Sequence, residues 1–233
     1  MTVLETRDRA IAIMAKAPRP DHAKTRLRAA ADLESQVVAL YRCFVEDTLS
    51  LAGSVDNAQV AIVCPTDDAE QIAAWLPSVR AIAQRGHGLA AGLTSAFAVL
   101  HEEGCRRIVA LNGDSPHLPG AILNRAFELL GDSDVVIGPT EDGGYYLVAL
   151  KAPRPALFDA GTLGTASALA ELCARAQALN LSVAFTETCY DVDAPHDLAR
   201  LVDELRDDPQ RAPRTAALLS SMAGEDLERL QCR

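Results

Sequence analysis

Four stretches of the chain are almost continuously apolar, and this feature constrains the fold most. Strands covered on both faces, as in a mainly parallel sheet, have this composition, whereas a strand with one wet face alternates polar and apolar residues. Three shorter or weaker runs complete the set. The predicted strands are residues 10–16, 58–64, 79–84, 106–112, 133–139, 145–150 and 181–187.

Helical patterns alternate with these strands, and this alternation predicts a three-layer α/β fold around a mainly parallel central sheet. An acidic residue or a proline at helix starts, and a glycine at helix ends, mark several of the boundaries. We expect one domain over residues 1–208, followed by a helical appendage over 209–233. The predicted helices are residues 31–53, 67–76, 92–104, 119–131, 165–179 and 194–208.

The charge of the chain excludes some classes of partner. Its formal net charge is −10 over 233 residues, whereas general nucleic-acid binding needs a basic surface. The first ten residues carry charges of both signs and do not resemble a secretory signal. The apolar runs are much shorter than the roughly 20 residues of a membrane span. We therefore expect a cytoplasmic protein without nucleic-acid or membrane partners.

The loop after the first strand is basic although the chain is acidic. It contains Lys16, Arg19, Lys24 and Arg26, with Thr25 between the last two. We expect residues 24–26 to lead into a helix, whose first amides would bind phosphate together with the cations. Arg19 lies between two prolines at the tip and is expected to be only solvated. The alternative is a basic surface loop that binds nothing.

A second candidate segment is glycine-rich. Residues 84–97 begin at Gln84 and contain Gly86, Gly88 and Gly92 ahead of an amphipathic helix. Glycines let the backbone approach a base or a phosphate closely. We assign these four residues to nucleotide binding, although a loop with several glycines is common.

Acidic residues follow other predicted strands. Asp114 comes directly after an apolar strand, where ligands of α/β sheets bind, and could hold a divalent cation on phosphates. A helix cap or a turn is the alternative for this aspartate. Asp142, Gly143 and Gly144 lie between two strands and also suit a tight turn, and Asp193 precedes a helix that it could cap.

Four motifs together carry a resemblance to a known family. In order they are MAKAPRPDHAKTRL, NGDSPHLP, GPTEDGGYYLVAL and YDVDAPHDL, and they span about residues 11–201. They resemble bacterial glycosyltransferase-like proteins of the radical-SAM/selenodomain-associated or arsenosugar-biosynthesis type, within the nucleotide-diphospho-sugar transferase superfamily. More distantly, they are similar to 2-phospholactate and molybdenum-cofactor guanylyltransferases. The resemblance implies a GT-A-like fold.

The resemblance also implies roles for residues. Asp114 and Asp193 would hold Mg²⁺ or Mn²⁺, and the Asp142-Gly143-Gly144 segment would contact the acceptor or sugar. The residues expected to face the nucleotide phosphates are Lys16, Lys24 and Arg26. One departure concerns residues 87–93, HGLAAGL, where the family usually has an Asp-Leu-Gly-x-Arg pattern.

The predicted function is a metal-dependent, nucleotide-using transferase. We favour nucleotidyl transfer from a nucleoside triphosphate to a small anionic acceptor with release of pyrophosphate, because the first loop is so cationic. Lys24, Arg26 and Asp142 would be the catalytic residues. Glycosyl transfer from a nucleotide sugar is the alternative, and a non-catalytic nucleotide-binding protein is a third. The sequence leaves the oligomeric state open, a homodimer included.

Overall fold

Seven strands form a single sheet. The computed structural model of the protein describes residues 8–20, 22–27, 33–158 and 166–231. The strands are β1 (Arg9–Met14), β2 (Ala58–Cys64), β3 (Arg80–Ala83), β4 (Arg107–Asn112), β5 (Val135–Pro139), β6 (Tyr145–Leu150) and β7 (Val183–Phe185).

The sheet is mainly parallel, and its order is β3-β2-β1-β4-β6-β5-β7. Strand β1 pairs with β2 and β4 in parallel, so that Ile11 lies beside Val60 on one side and Val109 on the other. Only β6 runs antiparallel to its neighbours. A tight turn joins β5 to β6. Gly143 permits this turn, since its φ of 88° is one that an L side chain rarely tolerates.

The described ranges contain eight α-helices. They are α1 (Glu34–Gly53), α2 (Ala69–Trp75), α3 (Gly88–Glu102), α4 (Ile122–Asp132), α5 (Ala168–Ala178), α6 (Pro195–Asp207), α7 (Pro213–Ser221) and α8 (Gly224–Gln231). None of these helices is both long and apolar enough to cross a membrane.

Strand β1 shows why three layers form. Ile11 and Ile13 pack into one buried cluster with Phe127 of α4, whereas Ala10 and Ala12 pack into another with Phe97 of α3. Both faces of the strand are therefore buried, as its continuous apolar run predicts. The predicted three-layer α/β fold is confirmed.

The predicted helix starts differ from the observed ones by one to four residues, and two of these differences bear on the site. Helix α3 begins at Gly88, four residues early, because His87 is extended and the chain turns there. Thr25–Leu27 forms only a single 3-10 turn, and α1 begins at Glu34. The expectation that residues 24–26 lie at the start of a long helix is therefore wrong, and residues 28–32 lie outside the described part of the chain.

The C-terminal helices pack against the main body. Helices α7 and α8 share a buried cluster with α1 and α6, which includes Phe44, Leu201, Leu219 and Leu230. At its centre, the buried carboxylate of Asp47 accepts hydrogen bonds from the backbone N–H groups of Arg214 and Thr215 and from the Thr215 hydroxyl. A side chain of α1 thus satisfies the free amides at the start of α7.

We predict that Asp47→Ala lowers the free energy of unfolding by about 1–3 kcal/mol, because it leaves buried donors of Thr215 without a partner. Urea denaturation followed by circular dichroism measures this. Ser50→Ala is the matched control, since it removes an exposed hydrogen bond to Arg214 on the same helix. A loss from Asp47→Ala no larger than that of the control would contradict the assignment.

Candidate active site

A cleft of about 710 Å³ opens at the carboxyl ends of β1, β2 and β4, where ligands of open α/β sheets bind. The predicted residues that line it are Lys16, Lys24, Arg26, Gln84, Gly88, Asp114, Asp142, Gly144 and Asp193. Gly86, Gly92 and Gly143 are not among the lining residues: Gly86 and Gly143 lie in loops, and Gly92 lies in α3. The side chain of Thr25 lies outside the described part of the structure.

The basic loop is held by two buried side chains that the sequence analysis missed. The Tyr41 hydroxyl accepts a hydrogen bond from the Lys16 N–H at 2.9 Å and donates one to the Lys16 carbonyl at 3.3 Å. Asp68, which is fully buried, accepts from the Ala17 N–H at 2.9 Å and from His22 Nε2 at 2.7 Å. The loop therefore has a fixed shape before any ligand arrives.

The expectation that Arg19 is only solvated is wrong. Its guanidinium donates to Asp68 Oδ1 at 2.7 Å and forms an ion pair there. Asp68 stands just before α2, where an acid suits the helix N-terminus, but its carboxylate makes no capping hydrogen bond and is directed at the loop. Two other cations are more open, because Lys16 is exposed and the Arg26 side chain is 73% exposed.

Lys24 joins the basic loop to both predicted metal ligands. Its ammonium nitrogen lies 2.8 Å from Asp114 Oδ1 and 2.8 Å from Asp193 Oδ1. The Lys24 side chain is only 3% exposed, whereas those of Asp114 and Asp193 are 35% and 38% exposed. The lysine thus forms the floor of the site, and the two carboxylates stand between it and the open cleft.

The two aspartates favour the charged form of Lys24, and Lys24 favours that of Asp193. Burial by itself lowers the pKa of Lys24, but the negative charges of Asp114 and Asp193 outweigh it and raise the pKa above its ordinary value. Burial likewise raises the pKa of Asp193, yet the charge and hydrogen bond of Lys24, with the charge of Arg26, bring it below the usual range. The site at neutral pH therefore holds an ammonium and ionised Asp193.

Asp191 differs from its neighbours. Burial, followed by the negative charges of Asp193 and Asp142, raises the pKa of Asp191 to about 6. Lys24 opposes this shift without cancelling it. The segment before α6 thus brings two carboxylates to the cleft, and only Asp193 shares a salt bridge with Lys24.

Asp114 and Asp193 are the cleft side chains that could hold a magnesium or manganese ion. Two carboxylate oxygens, from Asp114 and Asp193, converge on a single point that already holds a positive charge. Among the described residues, no group of three or more His, Cys, Asp or Glu side chains could hold a metal ion alone. Mg²⁺ is commonly bound by one or two carboxylates, with water and substrate phosphates as its other ligands.

Backbone contacts fix the two acidic loops relative to each other. The Val192 N–H donates to the Asp114 carbonyl at 3.0 Å, and the Ser115 hydroxyl donates to the Tyr190 carbonyl at 3.1 Å. The His117 ring stacks on Tyr190 with centroids 4.0 Å apart. Burial, with nearby arginine charges, lowers the pKa of His117 to about 3, so this ring stays neutral.

Asp193 does not cap the helix that follows it. Instead, the Asp197 carboxylate accepts hydrogen bonds from the backbone N–H groups of Asp193 and Ala194. Ala194 is the N-cap residue of α6, and the Asp193 carboxylate pairs with Lys24. The capping alternative that the sequence left open for Asp193 is therefore not the observed arrangement.

The glycine-rich loop is organised by Gln84. Its amide NH₂ donates to the carbonyls of Gly86 at 2.9 Å and Gly88 at 3.3 Å. A Cβ at Gly92 would lie 2.9 Å from the Gln84 side-chain oxygen, so a larger residue there would displace that side chain. Gln84 thus shapes the wall of the cleft mainly by holding this loop.

The turn between β5 and β6 uses Asp142 as a structural group. Its Oδ1 accepts from the Thr140 hydroxyl at 2.6 Å and from the Gly144 N–H at 3.0 Å. A Cβ at Gly143 would lie 2.2 Å from the Ala166 carbonyl oxygen, so only glycine fits. The tight turn that the sequence left open is present, and it presents the Asp142 side chain to the cleft.

We predict a pH signature for Asp68. Burial alone raises its pKa, but hydrogen bonds from Ala17 and His22, with the charges of His22 and Arg19, bring it below the ordinary value. A depressed folded-state pKa stabilises the protein above the unfolded pKa of about 3.9, and this contribution is lost as pH falls through the folded value. At pH 7, Asp68→Asn should therefore lower the free energy of unfolding by about 1–3 kcal/mol.

Urea denaturation of wild type and Asp68→Asn across pH 7 to 3 measures this difference. It should stay constant down to about pH 4 and shrink below that value. Asp67→Asn, at the exposed neighbouring position, should change stability little at any pH. A difference for Asp68→Asn that persists or grows below pH 4 would show that the carboxylate charge is not what holds the loop.

Solved structures share this fold. A protein from Desulfovibrio desulfuricans G20, provisionally described as a nucleotide-diphospho-sugar transferase, matches with a TM-score of 0.85 and 29% identity over 96% of this chain and 97% of its own. The predicted nucleotide-diphospho-sugar transferase fold is confirmed by this likeness.

Nucleotidyltransferases share the fold at lower identity. CMP:2-keto-3-deoxy-manno-octonic acid synthetase, solved with CTP, has a TM-score of 0.54 and 13% identity over 86% of this chain and 99% of its own. A nucleotidyl transferase from Methanothermobacter has a TM-score of 0.55 and 20% identity over 86% and 100%. These neighbours are transferases, the class of enzyme that the sequence predicts.

Sequence comparison identifies the family. A search of curated proteins finds no match. A family model described as "Uncharacterized protein conserved in bacteria (DUF2064)" matches residues 48–165, just over half of the 233-residue chain. The matched region includes β2 to β6 and the Asp114 and Asp142 segments. The chain therefore belongs to the DUF2064 family.

Proposed function

We propose that this protein is a nucleotidyltransferase that joins a nucleoside monophosphate to a small acceptor and releases pyrophosphate. The observation that carries the proposal is the convergence of Lys24, Asp114 and Asp193 at one point in the cleft. Phosphoryl transfer depends mainly on positioning and on neutralising phosphate charge, and this cluster, with its exposed cations nearby, supplies both.

The triphosphate would lie along the basic loop. Lys16 and Arg26 line the cleft with exposed side chains, and each makes a long contact, Lys16 with the His22 carbonyl and Arg26 with Asp193, both at 3.5 Å. Phosphate oxygens would compete with these contacts. Arg19 contributes indirectly, because its pairing with Asp68 holds the loop in shape. Charge-assisted hydrogen bonds from lysine and arginine would hold the β- and γ-phosphates and stabilise the leaving pyrophosphate.

The nucleoside would occupy the other end of the cleft. Met14, Val63 and Leu89 give that wall apolar surface, and the loop shaped by Gln84 closes it. The exposed Leu89 at the start of α3 offers a face against which a base could pack. The backbone of residues 86–88, whose glycines have positive φ, can approach the ligand closely.

Asp114 and Asp193 would hold Mg²⁺ or Mn²⁺ in this proposal. When bound, the ion supplies positive charge that binds the phosphates and stabilises the charge that develops during the displacement. The residues of the chain fix the geometry: the β4 end positions Asp114, and the Asp197 hydrogen bonds position Asp193. An oxygen of the acceptor attacks the α-phosphorus, and the bond to the pyrophosphate oxygen breaks.

The acceptor would enter over the turn between β5 and β6. An anionic acceptor, which the sequence predicts, is already ionised and needs no general base. The carboxylates of Asp142 and Asp191 at that end favour instead a hydroxyl group that donates hydrogen bonds to them. Both acceptor classes therefore belong in the assay, and the turn residues Gly143 and Gly144 shape the entrance for either one.

Glycosyl transfer from a nucleotide sugar is the second candidate. The Desulfovibrio protein, described as a nucleotide-diphospho-sugar transferase, favours it, since that protein is 29% identical over nearly the whole chain. The motif resemblance to radical-SAM/selenodomain-associated or arsenosugar-biosynthesis transferases is part of the same candidate. Turnover of any nucleotide would exclude the third, non-catalytic candidate.

We predict that the protein with Mg²⁺ releases pyrophosphate from one of the common ribonucleoside triphosphates when a small acceptor is supplied. The physical reason is that the exposed cations beside the carboxylate pair suit a triphosphate. A coupled pyrophosphate assay over a panel of triphosphates and of carboxylate, phosphate and sugar acceptors measures this. A parallel panel of nucleotide sugars, followed by chromatography, detects nucleoside diphosphate.

The informative variant is the double substitution Lys16→Ala/Arg26→Ala, which removes both exposed cations of the cleft. Arg125→Ala, which removes an exposed arginine of α4, is the control. Pyrophosphate release should fall in the first and persist in the second. Release of a nucleoside diphosphate from a nucleotide sugar, with no pyrophosphate from any triphosphate, would reverse the ranking of the two candidates.

A further inference from the structure

Lys24 occupies the point where the two predicted metal ligands converge. Its ammonium nitrogen is 2.8 Å from one oxygen of Asp114 and 2.8 Å from one oxygen of Asp193. The ammonium also lies over the Phe44 ring, 5.9 Å from its centroid. A buried ammonium needs such partners, since removing it from water without them is unfavourable.

A divalent ion cannot share these oxygens with the ammonium at its present position. Each of these two oxygens would have to face two cations at once, and Asp193 already pairs with Arg26 through Oδ2 at 3.5 Å. Cations crowded within a few ångströms of each other repel strongly. Lysine carries its charge on a flexible four-carbon stem, so the ammonium can move while the backbone stays in place. It will do so only if another anion replaces the carboxylates, and triphosphate oxygens are such an anion.

The backbone conformation of Lys24 is a second unusual feature of this residue. Lys24 has a φ of 55°, in the left-handed region that lysine seldom adopts. This conformation persists where surrounding contacts hold it, and the strongest contacts of Lys24 are those with Asp114 and Asp193. Residues in such sparsely populated conformations cluster at ligand-binding and switch sites.

We propose that Lys24 is the resident counter-ion of the Asp114–Asp193 pair in the ligand-free protein. Its ammonium holds the two carboxylates together and leaves them for the phosphates when metal and triphosphate enter. This inference rests on the proposed function. It makes Lys24 a coupling residue: the metal alone must displace a buried cation, whereas the metal–triphosphate complex supplies that cation with a new partner.

The consequence is positive cooperativity between metal and triphosphate. A metal ion without nucleotide should bind weakly to the wild-type protein, because displacement of Lys24 opposes it. Binding free energies are reciprocal, so each ligand raises the affinity for the other by the same factor. Loss of the lysine charge should therefore strengthen metal binding. Removal of a residue that binds the metal would instead weaken it.

The test is titration of Mn²⁺ alone, without nucleotide, with free Mn²⁺ measured by electron paramagnetic resonance. Lys24→Met keeps the length of the side chain without its charge and should bind Mn²⁺ at least about tenfold more tightly than wild type. Lys24→Arg keeps the charge and should bind no more tightly than wild type. Adding Asp193→Asn to Lys24→Met should remove the gain.

Lys16→Met is the matched control, because it removes one positive charge from the same cleft without releasing a carboxylate. It should change Mn²⁺ affinity far less than Lys24→Met. Thermal melting of each variant checks that it is folded. Equal Mn²⁺ affinity of wild type and folded Lys24→Met, or an equal gain in Lys16→Met, would overturn the inference.

A further titration separates this inference from the proposed function. Each common ribonucleoside triphosphate is added to the wild-type protein with and without Mn²⁺. Triphosphate binding with no effect of Lys24→Met on Mn²⁺ affinity would overturn the counter-ion role and leave the proposed function standing. Tighter Mn²⁺ binding by Lys24→Met with no binding of any nucleotide would support the counter-ion role and contradict the proposed function.

Discussion

The salt bridges of Lys24 are the interaction on which the cleft depends. They join three segments that are distant in sequence: the loop after β1, the end of β4 and the segment before α6. A buried ammonium is tolerated only with paired charges, so Lys24 requires both aspartates to stay close. The parallel pairing of β1 with β4 makes this possible, because it brings Met14 beside Asn112 and their following loops to one edge.

The rest of the site follows from this pairing. Lys24 pairs with Asp193 and Asp114, whereas the raised pKa of the neighbouring Asp191 reflects burial first and the negative charges of Asp193 and Asp142 second. The repulsion among these acids would fall if a ligand placed cations between them. The same ligand could place anions beside Lys16 and Arg26. A metal–phosphate complex has this distribution of charge, and so the electrostatics and the proposed chemistry agree.

The sequence predicts the layers well and the contacts of the cations poorly. Continuous apolar runs such as residues 58–64 predict buried strands, because a parallel sheet covers both faces. The pairing of Arg19 with Asp68 could not be read in this way, since a charged residue does not specify which distant acid it will meet. The acidic start of α2 was interpreted through the helix dipole, although Asp68 in fact holds the basic loop.

Lys24 illustrates the same limit. Its place in a basic loop indicated phosphate binding, and only the fold reveals that it is buried between the two predicted metal ligands. Tyr41 and the stacked pair of His117 and Tyr190 carried no signal either, because buried aromatic residues in sequence are ordinarily core residues. Predicted residues such as Lys24, Asp114 and Asp193 line the cleft, whereas the predicted Gly86 and Gly92 do not, and the partners of the charged residues depend on tertiary contacts.

The central claim is that the Asp114–Asp193 pair joins a metal ion to a triphosphate. The most direct measurement is calorimetric titration of a non-hydrolysable triphosphate analogue with and without Mg²⁺, using wild type, Asp114→Asn and Asp142→Asn. Mg²⁺ should tighten binding at least about tenfold in wild type and in Asp142→Asn, and should have no such effect in Asp114→Asn. Affinity that is the same with and without Mg²⁺ in wild type, or an undiminished gain in Asp114→Asn, would contradict the account.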